Sequence, residues 1–199
     1  MTSAATPKGV RRRSRLIEAA GELLLEGGFD AVRHRAVADR AQLPLASTTY
    51  YFGSLDDLLA EAAGYTSHND EVAIAGRADA LSRRRRGGHA TAEALAEVFV
   101  GTDTTVEELS TRYEMLALAA RHGRLRDVVA DRRALLTTIH VDVLDRSGRL
   151  ADPVHIGQLI AVEDGAIVGA LGHRSIAPVV AARDALLEVI DVLAPQYPS

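Results

Sequence analysis

Arg33-His34-Arg35-Ala36-Val37-Ala38-Asp39-Arg40-Ala41-Gln42-Leu43-Pro44-Leu45-Ala46-Ser47-Thr48-Thr49-Tyr50-Tyr51 decides how this chain is read. Val37, Ala38 and Ala41 give one apolar face to a short helix over about Arg33 to Ala41, and a second short helix reads from about Leu45 to Tyr51. Only Gln42-Leu43-Pro44 separates them. Two short helices on so tight a turn, the second rich in small and hydroxyl side chains, fit a helix-turn-helix.

Working outward, Leu16, Ile17, Ala20, Leu23 and Leu24 recur at three- and four-residue steps and predict a preceding helix from about Arg11 to Glu26. Gly27-Gly28 ends it, and Phe29 can fold back onto its apolar face. Downstream, Ser54-Leu55-Asp56-Asp57 has the form of a helix cap and opens a fourth helix that runs past Gly64 toward Leu81. Further helices are expected over about Thr91 to Val100, Val106 to His122, Leu125 to Arg146, Val154 to Arg174 and Pro178 to Leu193. Alternating strand patterns are scarce, so the fold class is all-α: a three-helix head with the helix-turn-helix over 10–60, and a helical bundle over 61–199.

The 199 residues carry a net charge of −4, unevenly spread. Through Gly53 there are eight Lys/Arg against five Asp/Glu, while the remainder holds 15 against 22, so the head is the basic end and the candidate for phosphate contact. There is no cysteine, which removes disulfides, thiolate metal sites and a Cys nucleophile and fits a reducing, cytoplasmic setting. No signal-peptide pattern opens the chain and no charge-free stretch of bilayer length is seen, so no membrane partner is expected. The seven histidines are scattered, without metal-ligand spacing, and no nucleophile elbow, phosphate loop or dinucleotide fingerprint is present. Catalysis, metals and cofactors are therefore not expected.

Gly28-Phe29-Asp30-Ala31, Val37-Ala38-Asp39-Arg40-Ala41 and Ser47-Thr48-Thr49-Tyr50-Tyr51-Phe52-Gly53-Ser54, followed by Asp57-Leu58-Leu59, resemble the TetR family of transcriptional regulators without a gap from about Arg13 to Ala60. The resemblance implies sequence-specific DNA binding, with repression as its default. It also implies a homodimer on a near-palindromic operator and an unknown small-molecule effector. Arg35 matches a position that can touch a base, and Arg33 one that touches phosphate. Leu45, Ala46, Ser47 and Thr48 are small enough to let a helix approach the major groove. Thr49 follows them, and the hydroxyls of Tyr50 and Tyr51 can reach phosphate. The basic arm of Lys8, Arg11, Arg12, Arg13 and Arg15 can track phosphates or a minor groove. Gln42 stands where the family usually has a turn glycine, Pro44 where it usually has a capping serine, Thr49 in place of a tyrosine and Leu55 in place of a lysine.

The resemblance also assigns the last two helices to a four-helix dimer interface, where Gly157, Gly165, Gly169 and Gly172 would allow close approach. Polar groups in apolar helical stretches, Tyr113, Met115, His122, His140 and Glu163 with Asp164, are the candidates for an effector pocket. Scarce aromatic residues favour an aliphatic or acyl effector over a flat ring system. The rival reading is a helix-turn-helix protein that senses nothing. Arg83-Arg84-Arg85-Arg86, bounded by Gly87-Gly88, reads as an exposed loop rather than a second nucleic-acid patch.

Overall fold

Thr6 sets the start of the first helix in the computed structural model, which describes residues 6–173 and 176–198. Its hydroxyl accepts from the Gly9 amide at 3.2 Å, and Pro7 sits where the missing N–H costs nothing. Helix α1 (Pro7–Ala31) therefore begins earlier than apolar periodicity indicates, because its opening turns are charged and the cap rather than burial defines them. The regular helix breaks at Gly27-Gly28, where Gly28 has φ 66°. A Cβ at Gly28 would also lie 2.8 Å from Glu114 Oε2, which could swing aside, so it is the backbone that favours glycine here.

Two short helices follow, α2 (His34–Arg40), with Arg33 as its flanking cap residue, and α3 (Leu45–Tyr51). Gln42 in the turn takes φ 52°, a left-handed conformation that a glycine, the usual residue at this place in the TetR family, would adopt at less cost. Then come α4 (Leu55–Ala80), α5 (Gly88–Phe99), α6 (Val106–Ala119), α7 (Gly123–Arg146), α8 (Pro153–Leu171) and α9 (Pro178–Leu193). The Ser54 hydroxyl accepts from the Asp57 amide at 3.1 Å, the expected cap of α4. Arg174, the expected end of the eighth helix, lies outside the described residues. Among the described residues there is no strand, only an isolated bridge between Arg149 and Gln196.

The chain forms two compact units. The first comprises Met1–Asn69 and Ser110–Ala130, so residues of α6 and the start of α7 share a core with the helix-turn-helix. Leu16, Leu24, Val37, Phe52 and Leu58 are buried there with Met115, Ala119 and Leu125. Tyr65 of α4 packs where Gly21 of α1 leaves room; a Cβ at Gly21 would fall 2.5 Å from its ring. Met115, a candidate pocket residue by sequence, is instead part of this core, buried to 3% exposure.

The second unit comprises Asp70–Leu109 and Asp131–Ser199, and its core gathers Ile74, Leu95, Phe99, Val143, Ile156, Ile160, Leu186 and Ile190. Helix α8 is, by length and composition alone, apolar enough to cross a membrane, which the sequence reading did not anticipate. Ile156, Leu159 and Ile160 of α8 are buried in this core, Ile167 is buried too, and Glu163 and Asp164 interrupt the apolar run, so part of its apolar character belongs to internal packing.

The arginine run is a loop, as expected, with Arg83, Arg84 and Arg85 exposed. Arg86 is buried and donates to the carbonyls of Ser82 (2.8 Å), Arg146 (3.2 Å) and Arg84 (3.3 Å), and burial followed by the charge of Arg84 pushes its pKa down. Arg83 pairs with Asp145 at 2.6 Å, and Arg85 donates to Gln196 Oε1 (3.0 Å) and the Tyr197 carbonyl (3.1 Å). Three of the four side chains thus bind the end of α7 and the C-terminal segment. Arg149, also buried, closes α9 from below: it donates to the carbonyl of Ala194 at 2.7 Å and to Thr91 Oγ1 at 2.9 Å, and pairs with Asp191 at 2.8 Å. A cation at a helix C-terminus is favourably placed against the exposed carbonyls.

Candidate nucleic-acid interface

Seven residues make α3, so only about two turns can present side chains outward. Leu45, Ala46, Thr49 and Tyr50 are exposed, Tyr50 to 81%. Ser47 and Tyr51 are half-buried, and the two tyrosine rings meet edge to face at 4.9 Å. Thr48 does not share the outward face. It is fully buried, on the inward face of α3, and its hydroxyl donates to the Leu45 carbonyl of the same helix at 2.8 Å. Pro44 supplies no side-chain cap, as its substitution for a capping serine predicts.

The guanidiniums of the head divide sharply. Arg40 is held by Glu26 and Glu22 of α1 at 2.5 and 3.1 Å, which raise its pKa and lower that of Glu26. Arg15 donates to the Ala41 carbonyl at 2.6 Å, and Arg13 pairs with Glu61 at 2.5 Å while lying over the Phe52 ring. Arg33 is half-tethered: it pairs with Asp30 at 2.9 Å and donates to the carbonyls of Val32 and Phe29 at 2.9 and 3.2 Å. Arg35, by contrast, is exposed and has no partner among the described residues. Lys8, Arg11 and Arg12 are likewise exposed and without partners among those residues, so the basic arm splits into two structural arginines and three free cations. The tethering was invisible in sequence because its partners lie elsewhere; the Glu22 and Glu26 pair, four apart on α1, was the one available signal for Arg40.

The effector candidates do not form a single group. His140 and Glu163 do meet, both buried in the second unit, with His140 Nε2 at 3.3 Å from Glu163 Oε2. The other ring nitrogen, Nδ1, lies 2.8 Å from the Leu136 carbonyl, a position from which it donates, and Phe99 stacks on the imidazole at 3.7 Å. Asp164 pairs with Arg133 at 3.4 Å. Met115 and His122 belong to the first unit, where His122 Nδ1 lies 3.6 Å from Asp56 Oδ1. Tyr113, half-buried, also belongs to the first unit. Among the described residues no group of three or more metal-ligating side chains is present.

A helix-turn-helix whose second helix is exposed and whose first carries the unpaired Arg35, built on helices alone, is an architecture shared with helical DNA-reading regulators. Residues 16–62 match the family described as bacterial regulatory proteins, tetR family, and residues 86–192 that described as tetracyclin repressor-like, C-terminal domain. The chain belongs to the TetR family of transcriptional regulators. Among solved structures it is similar to the multidrug binding protein EbrR in complex with proflavin (27% identity, TM-score 0.69, covering 90% of this chain and 99% of that one). The same protein in complex with ethidium gives 28% identity and TM-score 0.69, covering 90% and 98%. A TetR-family member from Streptomyces coelicolor A3 gives 28% identity and TM-score 0.67, covering 89% and 97%. Among curated proteins none matches at a significant level.

Proposed function

We propose that the chain is a repressor that binds a near-palindromic operator as a homodimer and is released by a small molecule. The observation that carries the DNA reading is Arg35, exposed and unpaired on the helix before α3, whereas Arg13, Arg15, Arg33 and Arg40 of the same head are engaged internally. Arg35 reads a base, a bidentate contact to guanine being the commonest use of such a side chain, while Leu45, Ala46 and Thr49 face the groove. Tyr50, Tyr51, Arg33 and the arm residues Lys8, Arg11 and Arg12 contact the backbone.

Support for the dimer comes from α8. Gly157, Gly165 and Gly169 lie inside the helix, and a Cβ at each would meet nothing within 4 Å. A mid-helix glycine costs about 0.5–1 kcal/mol against alanine, so open space alone does not explain it. Close approach by a second copy does. A two-fold dimer would set the two recognition helices roughly 34–36 Å apart. Gly165→Leu should give a folded monomer by sedimentation; an unchanged dimer would place the interface elsewhere.

Support for an effector comes from EbrR, whose structures hold proflavin and ethidium, and from the polar groups His140 and Glu163 set among apolar side chains. Release follows if the compound binds better to the conformation that does not fit the operator. The test is fluorescence anisotropy with the upstream intergenic duplex against a scrambled one at fixed salt, with proflavin, ethidium and a medium-chain acyl compound added in turn. Arg35→Ala should lose about 5- to 100-fold on the operator and blur one base position, whereas Arg33→Ala should weaken all duplexes alike. Equal loss on both duplexes for Arg35→Ala overturns the base-reading role, and operator affinity unmoved by every compound favours a regulator that senses nothing.

A further inference from the structure

A cleft of about 620 Å³ opens within the first unit, where three chain corners meet: Phe29 to Arg33, the Ser54-to-Leu59 start of α4, and the turn between α6 and α7. That volume is in the range of small-molecule sites. Its lining holds four carboxylates, Asp30, Asp56, Asp57 and Glu114, against two guanidiniums and one histidine. Three of the carboxylates have basic partners: Asp30 has Arg33 at 2.9 Å, Asp57 has Arg124 at 2.7 Å, and Asp56 has His122 at 3.6 Å. Glu114 has none among the described residues. Its single hydrogen bond, from the Phe29 amide, is long at 3.4 Å, and the side chain is half-buried. A half-buried carboxylate with spare acceptor capacity thus lacks a cation in a cleft that also offers apolar surface from the leucines at 55, 59, 118 and 125.

We propose that this cleft binds a small organic cation, an amidinium or ammonium on an apolar body, with Glu114 as its counter-ion and the leucines around its body. None of His140, Glu163 or the other second-unit residues takes part. The site adjoins Asp30, so its occupant competes with Arg33 for the Asp30 carboxylate. Through Arg33, occupancy is linked to phosphate contact, and that consequence alone rests on the DNA reading above.

The experiment is a titration of the ¹⁵N-labelled full chain, free of DNA, with benzamidine and with benzamide, its neutral counterpart. Saturable shifts of the Gly28, Phe29, Gly123 and Leu125 amides by benzamidine are expected. Benzamide, and benzamidine on Glu114→Gln, should bind about tenfold or more weakly, the value of one charge-assisted hydrogen bond. Asp30→Asn, at an exposed position, gives a second variant expected to weaken binding less than Glu114→Gln should. No saturable shift in the millimolar range, shifts confined to residues 131–198, or equal binding of benzamide overturns the proposal. Because no DNA is present, failure of operator binding leaves this result untouched, and the two readings fall separately.

Discussion

Replacing Arg149 by methionine should unfold the second unit more easily by about 3 kcal/mol, the size expected from one charge-assisted hydrogen bond plus a stranded carbonyl. The Ala194 carbonyl accepts from Arg149 at 2.7 Å, and Ala194 is fully buried, so without the guanidinium this acceptor has neither partner nor water. The Ile190 carbonyl, 3.5 Å from Arg149, loses little because it also accepts from the Ala194 amide at 2.9 Å. Thr91 Oγ1 loses its contact at 2.9 Å but keeps its own bond to the Gly87 carbonyl. The ion pair with Asp191 adds under about 1 kcal/mol, since that carboxylate is 75% exposed. Methionine returns part of the loss by filling the space without a charge to desolvate. Urea unfolding at fixed protein concentration reads the result: with a slope near 2 kcal/mol per molar, the midpoint should fall by about 1.5 M, against a few tenths for Asp191→Asn. A midpoint for Arg149→Met within about 0.25 M of the parent would refute the reasoning, since the carbonyl would then have been satisfied without the arginine.

At the turn between α2 and α3, Gln42→Gly should raise stability by about 0.5–1 kcal/mol, the relief of a left-handed backbone less the extra freedom of the unfolded chain; a loss would mean that the glutamine side chain earns its place there. Arg83, then the Tyr197 hydroxyl, hold Asp145 below its ordinary pKa of 3.8, so the pair stabilises the fold above that value and is lost as pH falls through the lower folded one. Carboxyl NMR titration should place the Asp145 midpoint below 3.8, moving upward in Arg83→Ala, and no movement would sink the assignment. If Leu45, Ala46 and Thr49 meet thymine methyls, deoxyuridine at a contacted operator position should weaken binding about fourfold, the worth of one buried methyl, while equal affinity for every such duplex would remove those contacts.

How far the sequence carried the fold depends on the range of the interaction that shapes each element. Helix α3 was legible to the residue because Pro44 and the break at Gly53 act locally, and α4 was legible through Ser54 and its own periodicity. The start of α1 was not, since Thr6 and Pro7 act through a cap and leave no apolar trace. Thr48 was placed on the wrong side because so short a helix has too few turns to reveal its phase. The burial of Met115 and of Arg86, and the tethers of Arg83 and Arg85, were illegible for the opposite reason: their partners stand some 50 to 110 residues away, as with Arg85 and Gln196, and nothing local announces them. The free state of Arg35 and the tether on Arg33 are invisible in one dimension, although both belong to the same dipeptide neighbourhood.

The unfilled flank of α8, as a proposed interface, would separate two properties that most interfaces bind together. Side chains at positions 157, 165 and 169 answer to nothing inside their own protomer, so they can change without any cost to folding. If the pairing through α8 proposed above forms, such positions let self-recognition drift freely, and a duplicated copy of this chain could stop mixing with its parent in very few steps while both stayed equally stable.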